Sequence, residues 1–294
     1  MLAEPDRSVF VDLAGTRIRV WEWGDPGDPT VICLHGAFDH GRMFDELAPW
    51  VASLGYQVAA VDHRGHGDSD RLFTGQVFRT AAIDVARLAM HYGAPVGIVG
   101  HSMGSGMGLS VSATWPERVR WIVSLDGLGP PDSAFTLDDF GALTTGMVDH
   151  AIKTFGRDRR IFPSKEAMVK QRGDINYRVP APWLEHLVEH GSVANGDGWS
   201  WKWDPTFNVN IPEGFRREII TGEFQRMSRP LLALTGGEED MWSETSAAEI
   251  AERISIFADA RHHAVPGGGH YLHLEQPDLV MALIEDFLDE VGTK

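Results

Sequence analysis

Gly100-His101-Ser102-Met103-Gly104 is the segment of this chain best suited to chemistry. It follows the apolar run 96–100, which reads as a strand, and leads into 104–114, which has helical spacing. A serine between a strand and a helix occupies a sharp, strained turn, and the flanking glycines are needed because neighbouring Cβ atoms would clash there. Such a turn lifts the hydroxyl to the C-terminal edge of a sheet. It also aims a helix N-terminus at the negative charge that develops when a carbonyl is attacked. A serine hydroxyl needs a base, and His270 is the best candidate. It sits in Pro266-Gly-Gly-Gly-His270-Tyr-Leu-His-Leu-Glu-Gln-Pro277, where the glycine run lets a loop carry an imidazole over the sheet edge. His273, three residues on, reads as a packing residue at a helix start.

These residues need a frame to hold them. Residues 9–13 and 17–23 flank an Ala-Gly-Thr turn and read as a hairpin. The run 30–34 is apolar throughout, as a strand buried on both faces would be. Helical spacing over 42–54, a strand at 57–61, a helix over 78–92 and a strand at 119–125 complete an alternating pattern. That pattern predicts a mostly parallel sheet of eight strands with helices on both faces. From Gly127 to about Arg229 the segments become helix-like and rich in aromatic residues. From Pro230 the alternation returns, with strands at 231–235 and 263–265 and helices at 246–256 and 277–291. The expected division is therefore a core of residues 1–129 and 227–294, with a helical cap of residues 130–226 inserted after the sixth strand.

Taken together, His35-Gly36, Asp62-His-Arg-Gly-His-Gly-Asp-Ser69, Gly-His-Ser-Met-Gly and Gly269-His-Tyr-Leu-His-Leu-Glu-Gln-Pro277 resemble the capped α/β-hydrolase superfamily. These motifs run from residue 35 to 277, most of the chain. Leu125-Asp-Gly-Leu-Gly-Pro130 and Trp201-Lys-Trp-Asp-Pro205 further resemble a bacterial serine-hydrolase-like group. The resemblance implies the α/β-hydrolase fold, with the order nucleophile, acid, histidine. It also implies an oxyanion hole made by the main-chain N–H groups of Ala37 and Met103. Epoxide hydrolases and haloalkane dehalogenases of this superfamily carry aspartate at the turn, whereas Ser102 suits acyl transfer. Two carboxylates compete for the role of the acid. Asp240, in Gly237-Glu-Glu-Asp240, matches the usual Gly-x-x-Asp position and is favoured; Asp126, ending the strand 119–125, is the alternative.

The expected reaction is hydrolysis of a carboxylic ester or related acyl bond through an acyl-enzyme. A carbon–carbon bond hydrolase would use the same residues, with a cap cation such as Arg172 or Arg178 for a substrate carboxylate. A slow-turnover ligand receptor on this fold is a rival from another class. No cofactor and no metal are expected, since the 13 histidines show neither His-Glu-x-x-His nor Cys/His ligand spacing. His35, His63 and His66 read as loop-packing residues. Trp199, Trp201 and Trp203 read as cap packing, with an apolar acyl pocket as the functional alternative. The chain of 294 residues carries 42 acidic against 26 basic residues, a formal charge of −16. That sign disfavours nucleic acid and anionic membrane surfaces, leaving a small, apolar acyl substrate as the expected partner. No basic segment followed by an apolar run opens the chain, no stretch is long enough to span a bilayer, and Cys33 is the single cysteine. The expectation is a cytoplasmic protein without disulfides.

Overall fold

The computed structural model describes residues 2–71, 78–131, 140–154, 157–207, 217–238, 240, 242 and 245–292. Its centre is an eight-stranded sheet. Strands β1 (Arg7–Asp12) and β2 (Arg17–Trp23) form the leading hairpin, followed by β3 (Thr30–Leu34), β4 (Gln57–Val61), β5 (Val96–His101) and β6 (Val119–Leu125). A small hairpin, β7 (Ser192–Asn195) and β8 (Gly198–Trp201), stands apart, and β9 (Leu231–Gly236) and β10 (Ala260–Val265) close the sheet. The order across it is β1-β2-β4-β3-β5-β6-β9-β10. Only β1 and β2 run antiparallel to their neighbours; the rest is parallel. β3, β4 and β5 are buried at every position, because helices cover both faces and leave no solvated side to alternate toward.

One face packs beneath helices α2 (Phe78–His91) and α3 (Met103–Thr114), the other beneath α1 (Leu47–Ser53) and the last helix, α10 (Pro277–Val291). The two cores reflect this. Ile32, Leu34, Ile98 and Ile122 point to one, and Cys33, Val99, Val123 and Leu234 to the other. The helix expected over 42–54 is broken in two: a 3-10 turn, Gly41–Phe44, precedes α1, and Asp45 between them is tied to Arg42.

Among the described residues between β6 and β9, none adds a strand to the main sheet. That stretch holds α4 (Phe140–Thr154), α5 (Lys165–Ile175), α6 (Ala181–Gly191), the β7–β8 hairpin and α7 (Arg217–Phe224). Phe162, Met168, Val188 and Trp201 form a separate small core there, with Trp199 and Trp203 packed against it. The hairpin was not expected. Nor does the packing change at residue 226: Ile220 and Phe224 of α7 and Met227 lie in the main core, and Ser110 of α3 donates to Glu223 at 3.1 Å. By packing, α7 sides with the sheet.

Candidate active site

Ser102 lies between β5 and α3, with φ 51° and ψ −117°. A non-glycine residue in that region costs about 1–3 kcal/mol and persists only where its surroundings impose it. Here they do. The Ser102 N–H donates to Leu125 O at 2.9 Å, and a Cβ on Gly104 would stand 2.2 Å from Leu34 O, so α3 can enter over the sheet only with glycine there. Four non-glycine residues among those described have positive φ, and three are Phe38, Ser102 and Asp126. These three residues belong to the loops at the C-terminal ends of β3, β5 and β6.

The loop after β3 closes on the serine: a Cβ added to Gly36 would meet the Ser102 Cβ at 3.2 Å. Ala37, the next residue, is the expected oxyanion donor. The loop is held by buried imidazoles from the loop after β4. His63 N–H donates to His35 Nε2 at 3.0 Å, and Phe38 N–H donates to His66 Nε2 at 3.3 Å. Both bonds need a ring nitrogen with a free lone pair, hence neutral rings. Burial pushes the His63 pKa down to about 3 and that of His66 to about 4, and lowers His35 well below the usual value. Asp62 anchors the same region, accepting from the N–H groups of Gly41 at 2.7 Å and Asp68 at 2.8 Å; burial lifts its pKa to about 6.

His270 sits in the loop between β10 and α9 (Leu272–Glu275). Its Nδ1 lies 2.6 Å from Asp126 Oδ2. Asp240, the favoured acid, does not meet the ring; its Oδ2 accepts only from the His270 backbone N–H, at 3.4 Å. The reason is strand order. β6 is the direct neighbour of β5, and the left-handed turn at Asp126, φ 47°, holds its carboxylate across the end of β9, where Oδ1 accepts from Gly236 N–H at 3.1 Å. Below His270, His101 is fully buried, its Nε2 2.9 Å from His270 O.

Two cap residues reach this end of the sheet. Arg172 of α5 binds Asp39 and donates to the Tyr271 hydroxyl at 2.8 Å, and that hydroxyl donates to Asp39 at 3.1 Å. Asn176 accepts from Trp242 Nε1 at 2.8 Å. Arg178, also beyond α5, pairs with Glu275 at 2.9 Å and donates to Gly267 O at 2.7 Å. The Asp39–Arg172–Tyr271 group is a feature that pattern reasoning on the sequence missed.

Among the described residues, one grouping has the spread of a metal site: Asp45, His186 and His190, the two histidines one turn apart on α6. A cation already occupies it. Arg42 is buried, holds both Asp45 oxygens at 2.7 and 2.9 Å, and lies 3.3 Å from His190 Nδ1. Burial and the Arg42 charge push the His190 pKa down to about 4. A divalent ion there would face the guanidinium at close range, so the donor set fits a salt bridge better than a metal.

The comparisons with known proteins agree with this geometry. Residues 29–149 match the family described as alpha/beta hydrolase fold. A thioesterase domain from the curacin biosynthetic pathway superposes with a TM-score of 0.83 at 21% identity, covering 95% of this chain and 99% of that one. This is an α/β-hydrolase-fold protein. Among relatives of this α/β-hydrolase-fold chain, the 2-(acetamidomethylene)succinate hydrolase of Mesorhizobium japonicum is 24% identical, over 95% of this chain and 94% of that protein. The sn-1-specific diacylglycerol lipase ABHD11 of Mus musculus is 28% identical, over 90% of this chain and 82% of the relative.

Proposed function

We propose that this protein is a serine hydrolase that cleaves a carboxylic ester or related acyl bond of a small, largely apolar substrate. Ser102 is the nucleophile, His270 the general base and Asp126 the acid. The observation that carries the reading is the contact of His270 Nδ1 with Asp126 Oδ2 at 2.6 Å, beside a serine held at φ 51° on the adjoining strand end. A carboxylate on Nδ1 fixes the tautomer that leaves Nε2 free to accept a proton, and it stabilises the imidazolium that then forms.

In the first half-reaction His270 Nε2 takes the Ser102 proton as Oγ adds to the substrate carbonyl. The Ala37 and Met103 N–H groups hold the resulting oxyanion, and the imidazolium returns its proton to the leaving alcohol. In the second half-reaction, water deprotonated by the same nitrogen cleaves the acyl-serine, releasing the acid and restoring Ser102. The helices before α7 act as a cap that closes over the strand ends and confers selectivity.

The charges favour this over carbon–carbon bond hydrolysis of an anionic diketone. That chemistry would use a cap cation to bind a carboxylate, and both candidates already have carboxylate partners: Arg172 has Asp39 and Arg178 has Glu275. The test is fluorophosphonate labelling together with turnover of a p-nitrophenyl ester series. Labelling and multiple turnovers are expected in the native protein, and neither in Ser102→Ala. Labelling that survives in Ser102→Ala puts the nucleophile elsewhere, and release of one equivalent without turnover means a receptor.

A further inference from the structure

The buried group Asp39, Arg172 and Tyr271 is not required by the triad, yet it joins three separate parts of the chain. Asp39 is two residues beyond Ala37 on the loop after β3. Tyr271 follows His270 directly. Arg172 comes from cap helix α5, 133 residues from Asp39 in sequence. One guanidinium nitrogen, Nη2, serves both Asp39 Oδ1 and the Tyr271 hydroxyl, and the hydroxyl closes the ring on Asp39 Oδ2. All three side chains are buried. Burial works against the Arg172 charge, but Asp39 and Tyr271 more than offset it and hold its pKa above the usual value.

We propose that Arg172 is a positioning residue for the hydrolysis: by gripping Asp39 and Tyr271 together it ties the cap to both the oxyanion loop and the base loop, so the site is assembled only with the cap seated. The inference rests on the Ser102–His270 reading above. Donor and base must both be aligned on the reacting carbonyl, and small misplacements there are expensive in rate. Arg172 touches neither substrate nor the serine; its effect is exerted through the two loops.

The test uses the whole protein and the Ser102-dependent part of p-nitrophenyl butyrate hydrolysis. Arg172→Met should lower kcat by about tenfold to a hundredfold, as a misplacement of about 1 Å can, while KM moves by no more than about threefold. Arg172→Lys, which keeps one cationic donor, should recover part of that loss, and Tyr271→Phe should lower kcat several-fold. Arg172→Met leaves Asp39 buried without its cation and lowers stability on that account alone. The double variant Asp39→Asn/Arg172→Met therefore separates the two effects. It should melt closer to the native protein than Arg172→Met does, yet keep the depressed kcat. A double variant with native kcat, or an Arg172→Met protein with native kcat, overturns the proposal. If the native protein shows no Ser102 labelling, the functional reading fails first and the proposal falls with it.

Discussion

Acidification to about pH 5 should unfold this protein, and buried histidines are the cause. Six of them, His35, His40, His63, His66, His101 and His273, have under a tenth of their surface exposed. Burial lowers the pKa of each below 6.5, to about 3 for His63 and His273 and about 4 for His66. A folded pKa below the unfolded one contributes stability that is complete above pH 6.5 and is lost as the pH falls toward the folded value. Going from about pH 7 to pH 5, each unfolded histidine gains almost a full proton that its folded counterpart refuses, a cost of about 2 kcal/mol. Six such groups give a gross loss of about 12 kcal/mol, against a typical total stability of about 5–15 kcal/mol. Asp62, whose pKa is raised to about 6, works the other way, gaining about 1 kcal/mol over the same interval. The assay is the urea midpoint, followed by circular dichroism, at half-unit steps from pH 7.5 to 5. His273→Phe provides the control. Both His273 nitrogens lack partners and its ring stacks on Phe44 with centroids 5.8 Å apart, so the variant removes one proton site and should recover about 2 kcal/mol at pH 5 relative to pH 7. A midpoint independent of pH, or a variant with the native slope, refutes the reasoning.

Asp126→Asn should cut turnover by about 10⁴, by analogy with the serine-protease triad, while Asp240→Asn costs less than about tenfold; steady-state kinetics on one ester decides, and the reverse ranking would restore Asp240 as the acid. Gly104→Ala places a methyl 2.2 Å from Leu34 O and should abolish labelling of Ser102 or prevent folding, as read by labelling and thermal melts together. Added Zn²⁺ should leave the melting temperature unchanged because Arg42 fills the Asp45 cluster, whereas a saturable rise would show that the ion displaces the guanidinium.

The parts of this molecule written in local chemistry were legible in the sequence. The turn at Ser102 was visible because its glycines answer to contacts within a few residues, and the strands 30–34, 57–61 and 119–125 because burial on both faces leaves an unbroken apolar run. The partner of His270 was not. Asp126 and Asp240 both end strands at suitable distances along the chain, and only the lateral order of β6 and β9 decides which carboxylate meets Nδ1. The Asp39–Arg172 pair was invisible for the same reason, since nothing local marks a partner 133 residues away. The β7–β8 hairpin is a different kind of miss. Asn195-Gly196 is a strong two-residue turn signal, and it was overlooked amid the helical segments around it.

With the carboxylate that meets His270 on β6, the nucleophile and that acid stand on strands joined directly by backbone hydrogen bonds. Their separation is then a property of the sheet and not of any connecting loop. The segment that follows β9 is relieved of supplying a reactive group, and its sequence can drift or lengthen at little cost to the reaction. A peptide tag inserted after Gly237 would therefore be tolerated far better than one inserted after Asp126.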